Sequence, residues 1–368
     1  MFSTLGFNQE DVTNSHSFFR LVRQKKYHEI SDSLYQSVVN QLESKDRVTI
    51  SRVVTLIESL NLEHRRRADK IFEILFKRYK EKNLNHSLDQ DLPTFRIGIC
   101  GAPGSGKSSL IEKIGMSLIN EGMKVAVLAI DPSSAKTGGS ILGDKTRMEY
   151  LSREVNAFVR PSPTKGYLGG VSLNTNEIVT LCEHVGFDAV LIETVGVGQS
   201  EIEIDTVSDF VVYVVPPASG DELQASKKGV MEIADCVVIN KFDSEYEKSC
   251  RVVKHQILGG LHLSRPKVDG WRVPVELVSA HREYNIDSIW RNAMRFKENH
   301  KDIITQKRGE QLLHGLWAYM GDMLLKRLKS ESGHIYADII AQNEKRLIKQ
   351  EITPNAAASN IMSHIFKD

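Results

Sequence analysis

The 368-residue chain lacks the features that mark several classes of protein. Its four cysteines are scattered and form no C-x-x-C pair, which argues against a disulfide framework and indicates reduced thiols, mostly in the core. The longest apolar runs, such as Phe210–Val215, have the length of a strand, far below the ~20 residues of a membrane span. With 48 Lys and Arg against 47 Asp and Glu, the net charge of +1 predicts neither a nucleic acid nor a membrane as partner.

The first 26 residues have two readings. The run 20–26 is basic, as in a mitochondrial transit peptide, whereas Glu10 and Asp11 are unusual in such segments. We see no apolar core of a secretory signal. A cleaved segment and a retained one therefore both stay open.

Hydrophobic periodicity divides the chain into three regions. Residues 30–82 show the spacing of apolar residues that is typical of helices. We interpret the arginine run at 63–67 as a solvated helix face or turn. The composition of residues 83–94 predicts a linker. Short β-branched runs then alternate with helical stretches, and because these runs are continuously apolar they predict an α/β fold with a mainly parallel sheet flanked by helices. The predicted strands are 95–100, 124–130, 156–159, 188–193, 210–215, 236–239 and 275–278.

Helical spacing returns after about residue 285. We expect a helical N-terminal extension over 1–92, the α/β domain over 93–298 and a helical C-terminal arm over 299–368. The arm carries an apolar stripe that either packs on its own domain or meets a partner. Its members are Ile303, Ile304, Leu312, Leu313, Leu316, Trp317, Met320, Met323, Leu324 and Leu328.

A glycine-rich turn between the first predicted strand and a helix has the pattern G-x-x-x-x-G-K-S of a phosphate-binding P-loop. Glycines let the backbone curl closely around a phosphate, and the helix that follows adds its positive end. Lys107 is then placed to reach the β- and γ-phosphates, and the Ser108 hydroxyl to ligate Mg²⁺. The predicted binding residues here are Gly101, Ala102, Pro103, Gly104, Ser105, Gly106, Lys107, Ser108 and Ser109.

Acidic residues follow two other strands. Three roles are open for Asp131: it holds a water bound to Mg²⁺, positions an attacking water or caps a turn. Asp144, in a glycine-dense segment, is the candidate for a second carboxylate near the metal. Glu193 ends an apolar strand, which fits a Walker B carboxylate near Mg²⁺. Gly196 lets a backbone N–H approach the γ-phosphate, while Gln199 either orients water or faces a turn.

The sequence Asn240-Lys241-Phe242-Asp243 after a strand predicts selection of guanine. A carboxylate at position 243 accepts hydrogen bonds from the N1–H and 2-amino groups of guanine, and adenine would leave it unpaired. Asn240 contacts the far edge of the base and Lys241 packs along its plane. Ser279 and Ala280, after the next strand, match the usual backbone contact to guanine O6. Together these patterns predict a site for GTP or GDP with Mg²⁺.

Longer stretches resemble the family of methylmalonyl-CoA mutase-associated GTPases, which includes the MeaB and methylmalonic aciduria type A proteins. The resemblance covers about residues 45–330 and is closer to the animal mitochondrial form. Its motifs are 131–134, 139–148, 160–171, 193–201 and 220–224. It implies a P-loop GTPase, homodimeric through its helical arm, in the mitochondrial matrix or the bacterial cytoplasm. It also implies a G-protein chaperone that binds the adenosylcobalamin-dependent mutase, gates cofactor loading from cobalamin adenosyltransferase, and protects or reactivates the mutase.

The same resemblance assigns roles to individual residues. Lys107 and Asp131 match catalytic positions, and Ser108, Asp131, Asp144 and Glu193 match the metal site. Asp221, Gln224 and Lys227 fall in an additional switch segment, where Lys227 swings to the phosphates when the partner docks. Two alternatives stay open: a P-loop kinase that phosphorylates a small molecule or a transport protein, and a nickel- or cobalt-delivering GTPase. The first lacks a recognisable acceptor motif and the second lacks clustered His or Cys.

Overall fold

A seven-stranded, wholly parallel sheet forms the centre of the protein. The computed structural model describes residues 15–82, 94–131, 148–163, 174–194, 203–217, 233–329 and 334–365. Its strands are β1 (Phe95–Gly101), β2 (Val125–Asp131), β3 (Ala157–Pro163), β4 (Ala189–Thr194), β5 (Phe210–Val215), β6 (Cys236–Ile239) and β7 (Val275–Leu277). They lie in the order β3-β2-β4-β1-β5-β6-β7, so β1 occupies the middle.

Helices connect the strands and extend the chain at both ends. Before the sheet come α1 (Ser15–Arg23), α2 (Asp32–Glu43), α3 (Arg47–Ile57) and α4 (Leu62–Lys82). Within it lie α5 (Lys107–Asn120), α6 (Glu149–Arg153), α7 (Thr175–Val185), α8 (Glu247–Leu263) and α9 (Asp287–Asn299). After it come α10 (Lys301–Lys329), α11 (His334–Ile348) and α12 (Pro354–Ile365). The predicted α/β fold is confirmed.

The sheet is buried on both faces, as the continuously apolar strands predicted. One face, with Ile97 and Ile99, packs against α5 and α9. The other face, with Val190 and Ile192, shares one hydrophobic core with α7, α8 and the four N-terminal helices. Residues Met1–Gln311 accordingly form one compact unit, and Leu312–Asp368 form a second. The N-terminal helices are thus an outer layer of the sheet's own core.

Strand β3 is longer than the sequence predicted. We expected 156–159, but the strand runs over Ala157–Pro163 and includes Pro161. Among the described strands β3 lies at the edge of the sheet and pairs with β2 alone, so a proline there breaks no hydrogen bond to a second described neighbour. The position of the strand, which the sequence does not give, explains the difference.

The arginine run at 63–67 is a solvated face only in part. Arg66 is exposed and pairs with Glu63 on the same helix. Arg65 is half-buried, donates to the Ile57 carbonyl and lies 2.7 Å from a carboxylate oxygen of Glu177 in α7. The run therefore also fastens α4 to the layer beneath it.

Buried charges close the amino ends of β1 and β5. The guanidinium of Arg96 makes two 2.7 Å bonds to Glu183. Asp209 accepts the Arg96 backbone N–H at 2.9 Å and two bonds from Arg308 at 2.8 and 2.5 Å. These pairs attach the first turns of α10 to the sheet, although Arg308 is more than two hundred residues distant from Arg96 in sequence.

The predicted apolar stripe of the arm divides between two environments. Ile304 is fully buried in the core beneath α9, Ile303 beside it is exposed and Leu328 is half-buried, whereas most of the large apolar residues between positions 312 and 325 are exposed. The exposed ones are Leu312, Leu313, Leu316, Trp317, Met320, Met323, Leu324 and Leu325. In α11 and α12, a buried Asn343 accepts a 3.1 Å bond from Asn360. No described helix combines the length and the hydropathy of a membrane span.

Candidate nucleotide-binding site

The predicted phosphate loop connects the carboxyl end of β1 to the first turn of α5. Gly101 and Gly106 adopt φ angles of +135° and +89°, which disfavour any residue with a Cβ. A Cβ on Gly101 would overlap the Val214 carbonyl oxygen, and one on Gly106 would lie 2.5 Å from the side-chain nitrogen of Asn240. Both glycines are therefore required by close neighbours as well as by backbone conformation.

The Lys107 side chain lies folded over this loop. It is only 7% exposed and its Nζ donates to the carbonyls of Gly101 at 2.8 Å and Ala102 at 3.1 Å. The carbonyl oxygens hold the ammonium where the loop curls, at the end of the sheet where parallel folds bind ligands. A phosphate bound in the loop would accept a hydrogen bond from the same ammonium group that now donates to the Gly101 and Ala102 carbonyls.

Two predicted metal ligands meet directly. The Ser108 hydroxyl, in the first turn of α5, donates to Oε1 of Glu193 at 2.7 Å. Glu193 reaches that position because β4 is the neighbour of β1 and pairs Glu193 with Ile99. A hydroxyl and a carboxylate oxygen side by side are the hard ligands that Mg²⁺ prefers, so these residues fit the metal.

Several predicted residues lie outside the described part of the chain. The backbone of Asp131 ends β2, on the neighbour of β4, but its side chain is not among those described. Among the described residues, no group of three or more His, Cys, Asp or Glu forms a metal cluster. The predicted positions outside the described residues are Asp144, Gly196, Gln199, Asp221, Gln224 and Lys227.

Asn240, predicted to contact the base, links the phosphate loop to the loop that contains Ala280. Its side chain is buried and donates to the Ser105 carbonyl at 3.0 Å and the Gly106 carbonyl at 3.4 Å. Its Oδ1 accepts the Ala280 backbone N–H at 3.2 Å. The side chain thus braces the phosphate loop from β6, a role that the N-K-x-D pattern alone did not indicate.

The carboxylate of Asp243 is held by Ser279. The Ser279 hydroxyl donates to Oδ1 of Asp243 at 2.5 Å and accepts the Arg282 backbone N–H at 2.9 Å. Lys241 adopts φ +64°, an unusual backbone for a non-glycine residue, in the turn that leads to Asp243. This arrangement fixes an acceptor at the place where the sequence predicted recognition of guanine.

Ala280 has a partner that the sequence did not predict. We expected the backbone of Ser279 and Ala280 to contact guanine O6, but here the Ala280 N–H donates to Oδ1 of Asn240. The loop is closed by two backbone bonds between Ser279 and Tyr284, of 3.1 and 3.0 Å. Contact with the base therefore requires the Ala280 amide to share or exchange its bond with Asn240.

The thiol of Cys250 contacts the turn at residues 240–243, which carries the predicted guanine contacts. Cys250 lies in α8, and its Sγ is 3.9 Å from the Asn240 carbonyl oxygen and 3.8 Å from that of Lys241, so its single S–H is shared between them. Burial, together with the nearby Asp243 carboxylate, raises the pKa of Cys250 to about 11, so the group stays a thiol at neutral pH. All four cysteines are buried and free, as predicted. No sequence pattern indicated the role of Cys250, because its partners are backbone oxygens.

Comparison with known proteins adds to this geometry. The sequence model of the family described as "Methylmalonyl Co-A mutase-associated GTPase MeaB" matches residues 50–333. A "Probable GTPase" of Mycobacterium tuberculosis is 39% identical over 337 residues, which are 90% of this chain and 95% of that protein. The mitochondrial methylmalonic aciduria type A homolog of mouse is 37% identical over 334 residues, 90% of this chain and 78% of that protein.

A solved structure shows the same architecture. The crystal structure described as a "LAO/AO transport system kinase" is 28% identical, covers 91% of this chain and 99% of its own, and superposes with a TM-score of 0.67. Together the matches show a P-loop GTPase, which hydrolyses GTP to GDP and phosphate. Relatives occur in bacteria and in animal mitochondria at similar identity.

Proposed function

Because the chain belongs to the MeaB family of methylmalonyl-CoA mutase-associated GTPases, we propose that it is a G-protein chaperone of methylmalonyl-CoA mutase. It gates the loading of adenosylcobalamin from cobalamin adenosyltransferase, and it protects or reactivates the mutase. The observation that carries the proposal is the family match over residues 50–333, which includes every described residue of the nucleotide site. The location follows the partner: the mitochondrial matrix in an animal cell, the cytoplasm in a bacterium.

GTP turnover in this proposal depends on Mg²⁺. Ser108 and Glu193, 2.7 Å apart, form the described part of the ion's binding site, and Asp131 and Asp144 complete it. Bound there, Mg²⁺ offsets negative charge on the β- and γ-phosphates. Lys107, in the phosphate loop, binds the same phosphates. Asn240 and Asp243 form the hydrogen bonds that select guanine.

Two further residues are assigned to the partner-stimulated reaction. Lys227 brings a cation to the γ-phosphoryl group when the mutase docks, and Gln224 lies three residues before it in the same segment. We expect Lys227→Ala to lower the rate of GTP hydrolysis measured with the mutase. An unchanged stimulated rate in this variant would remove the assignment.

The proposed assembly is a homodimer through α10. Eight large apolar side chains between Leu312 and Leu325 are each more than 40% exposed, an unusual concentration for a monomer. A second copy of the same helix face matches this surface in chemistry and in length. We expect light scattering to give twice the 41.4 kDa chain mass for the intact protein and a smaller mass for Leu316→Asp. A monomer before the substitution would contradict the assembly.

The test of function is GTP turnover with and without methylmalonyl-CoA mutase. We expect phosphate release to rise on addition of cobalamin-loaded mutase, and a pull-down to differ between GDP and a non-hydrolysable GTP analogue. Lys107→Ala serves as the control that loses nucleotide binding. A chain that hydrolyses GTP but neither binds the mutase nor responds to it would exclude the chaperone role and leave the GTPase intact.

A kinase is the second candidate, since the solved relative is described as a transport system kinase. A kinase moves the γ-phosphoryl group to an acceptor, whereas a GTPase moves it to water. With γ-labelled GTP, label recovered on a small molecule or a transport protein would favour the kinase, and label recovered as free phosphate would favour the chaperone.

A further inference from the structure

The loop of residues 279–284 lies against the turn at residues 240–243 through contacts that lie outside the nucleotide motifs. Two backbone bonds between Ser279 and Tyr284, of 3.1 and 3.0 Å, close the loop. The Tyr284 ring lies beside that of Phe242, the third residue of the N-K-x-D pattern, with ring centroids 5.6 Å apart. These contacts involve no charged side chain, so the loop keeps them when a charge within it is removed.

Arg282 lies in this loop and reaches Asp243 and the residue after it. Its Nε is 3.7 Å from Oδ1 of Asp243, which is the distance of an ion pair, and its Nη2 donates to the Ser244 hydroxyl. The Arg282 side chain is 54% exposed, and an ion pair so exposed contributes little to the stability of the fold. Its consequence is therefore expected at the Asp243 carboxylate.

The backbone of Arg282 acts on the same carboxylate through Ser279. The Arg282 N–H donates to the Ser279 hydroxyl at 2.9 Å, and that hydroxyl donates its one proton to Oδ1 of Asp243 at 2.5 Å. The hydroxyl thus accepts on the side of Arg282 and donates on the side of Asp243. The Ser279 bond and the Arg282 ion pair both meet Oδ1, and neither uses Oδ2.

We propose that Arg282 is a positioning residue that determines the selectivity for guanine, an inference that rests on the role proposed above for Asp243. By holding Oδ1, Arg282 keeps the carboxylate in one orientation and leaves Oδ2 to the base. Guanine offers two donors, N1–H and the 2-amino group, and both bonds need a carboxylate in the plane of the base, since hydrogen bonds weaken steeply with misalignment. Loss of Arg282 weakens these bonds and spares those to the phosphates.

Comparison of GDP with inosine diphosphate measures these bonds. Inosine diphosphate lacks only the 2-amino group, so the ratio of its Kd to that of GDP reports the bond from that group. A site that is merely looser raises both Kd values and leaves the ratio unchanged. By calorimetry with Mg²⁺, we expect a ratio of about 10 or more in the unaltered protein, as for a hydrogen bond to a charged group.

The ratio should fall by a factor of about 2–5 in Arg282→Met, which removes the cation. Arg282→Lys keeps the charge but not the two-point reach to Asp243 and Ser244, so its ratio should lie between the two. Arg291→Met removes an exposed arginine from α9 and is the matched control, which should keep the full ratio. A full ratio in Arg282→Met would overturn the proposal.

A double substitution separates this proposal from the role of Asp243. Asp243→Asn should lower the ratio towards unity, and Arg282→Met added to it should lower the ratio no further, because Arg282 acts through the carboxylate. The same fall caused by Arg282→Met in both backgrounds would refute the positioning role while that of Asp243 stands. A full ratio in Asp243→Asn would instead contradict guanine selection by Asp243, and the role of Arg282 with it.

Discussion

Replacing Arg308 by methionine should destabilise the protein far more than breaking an exposed ion pair. The Asp209 side chain is fully buried, and Arg308 gives it two bonds of 2.8 and 2.5 Å. Arg308 also donates to the Thr94 carbonyl at 2.8 Å. Methionine fills much of the same space but donates nothing, so of the described bonds to the Asp209 carboxylate the one from the Arg96 backbone N–H remains.

The magnitude follows from burial. Removal of one partner from a buried pair leaves an uncompensated charge and costs about 3–5 kcal/mol of unfolding free energy. The matched control is Arg153→Met, which breaks an i,i+4 pair with Glu149 whose side chains are 71% and 59% exposed. Exposed helix pairs of this kind contribute about 0.3–0.5 kcal/mol. The two arginine substitutions should therefore differ by several kcal/mol.

The loss in Arg308→Met should also depend on pH. Burial opposes the charged form of Asp209, but Arg308 and Arg96 outweigh it and hold the pKa of that carboxyl below its usual 3.8. A lowered pKa stabilises the fold above 3.8, and that stability is lost as pH falls. Without Arg308, burial dominates and the pKa of Asp209 rises, so the variant loses stability as pH rises through the new value. The difference between the two proteins should shrink from pH 7.5 to pH 4.5.

Urea unfolding of nucleotide-free protein, followed by circular dichroism at both pH values, measures these differences. We expect Arg308→Met to unfold at a much lower urea concentration than Arg153→Met at pH 7.5. A loss as small as that of the control, or one that is the same at pH 4.5, would refute the assignment of a buried, compensating charge to Arg308.

Three further predictions concern the nucleotide site and α7. Gly101→Ala places a Cβ against the Val214 carbonyl at φ +135° and should abolish GDP binding in calorimetry; Gly259→Ala in α8, whose Cβ meets nothing within 4 Å and whose φ is not positive, is the control and should bind. Asp243→Asn should reduce the preference for GTP over ATP in competition while the unfolding midpoint stays, and unchanged competition would contradict the base-pocket assignment. Burial lowers the pKa of His184 below 6.5 although its ring donates to the Thr180 carbonyl, so stability should fall as pH drops through 6.5. His184→Phe keeps the contacts with Phe76 and Tyr79 and should flatten that dependence; an unchanged pH slope would exclude His184 as its source.

Local pattern was enough to predict the seven strands and the helical stretches between them, although not the full length of β3. A continuously apolar run of six residues such as Phe210–Val215 predicts a buried parallel strand wherever it occurs, and the structure has β5 over the same residues. The glycine-rich turn before Lys107 also depends on adjacent residues alone. The acidic residues and the N-K-x-D pattern each follow a predicted strand. Because parallel strands end on the same side of a sheet, the sequence alone predicted that these residues lie at one edge of it.

The amino-acid sequence by itself determined the order of strands and helices and the functional residues at their ends. It did so because hydrophobic period, turn residues and short motifs depend on a few neighbouring positions. Only the tertiary structure decided which distant groups pair: Asn240 with the carbonyl of Ser105, Arg308 with Asp209, and Ser108 with Glu193. The same holds for β3, whose prolines are tolerated because the strand lies at an edge. These contacts join residues that are far apart in the chain, and which polar groups find each other is fixed by strand order and burial, which no local pattern contains.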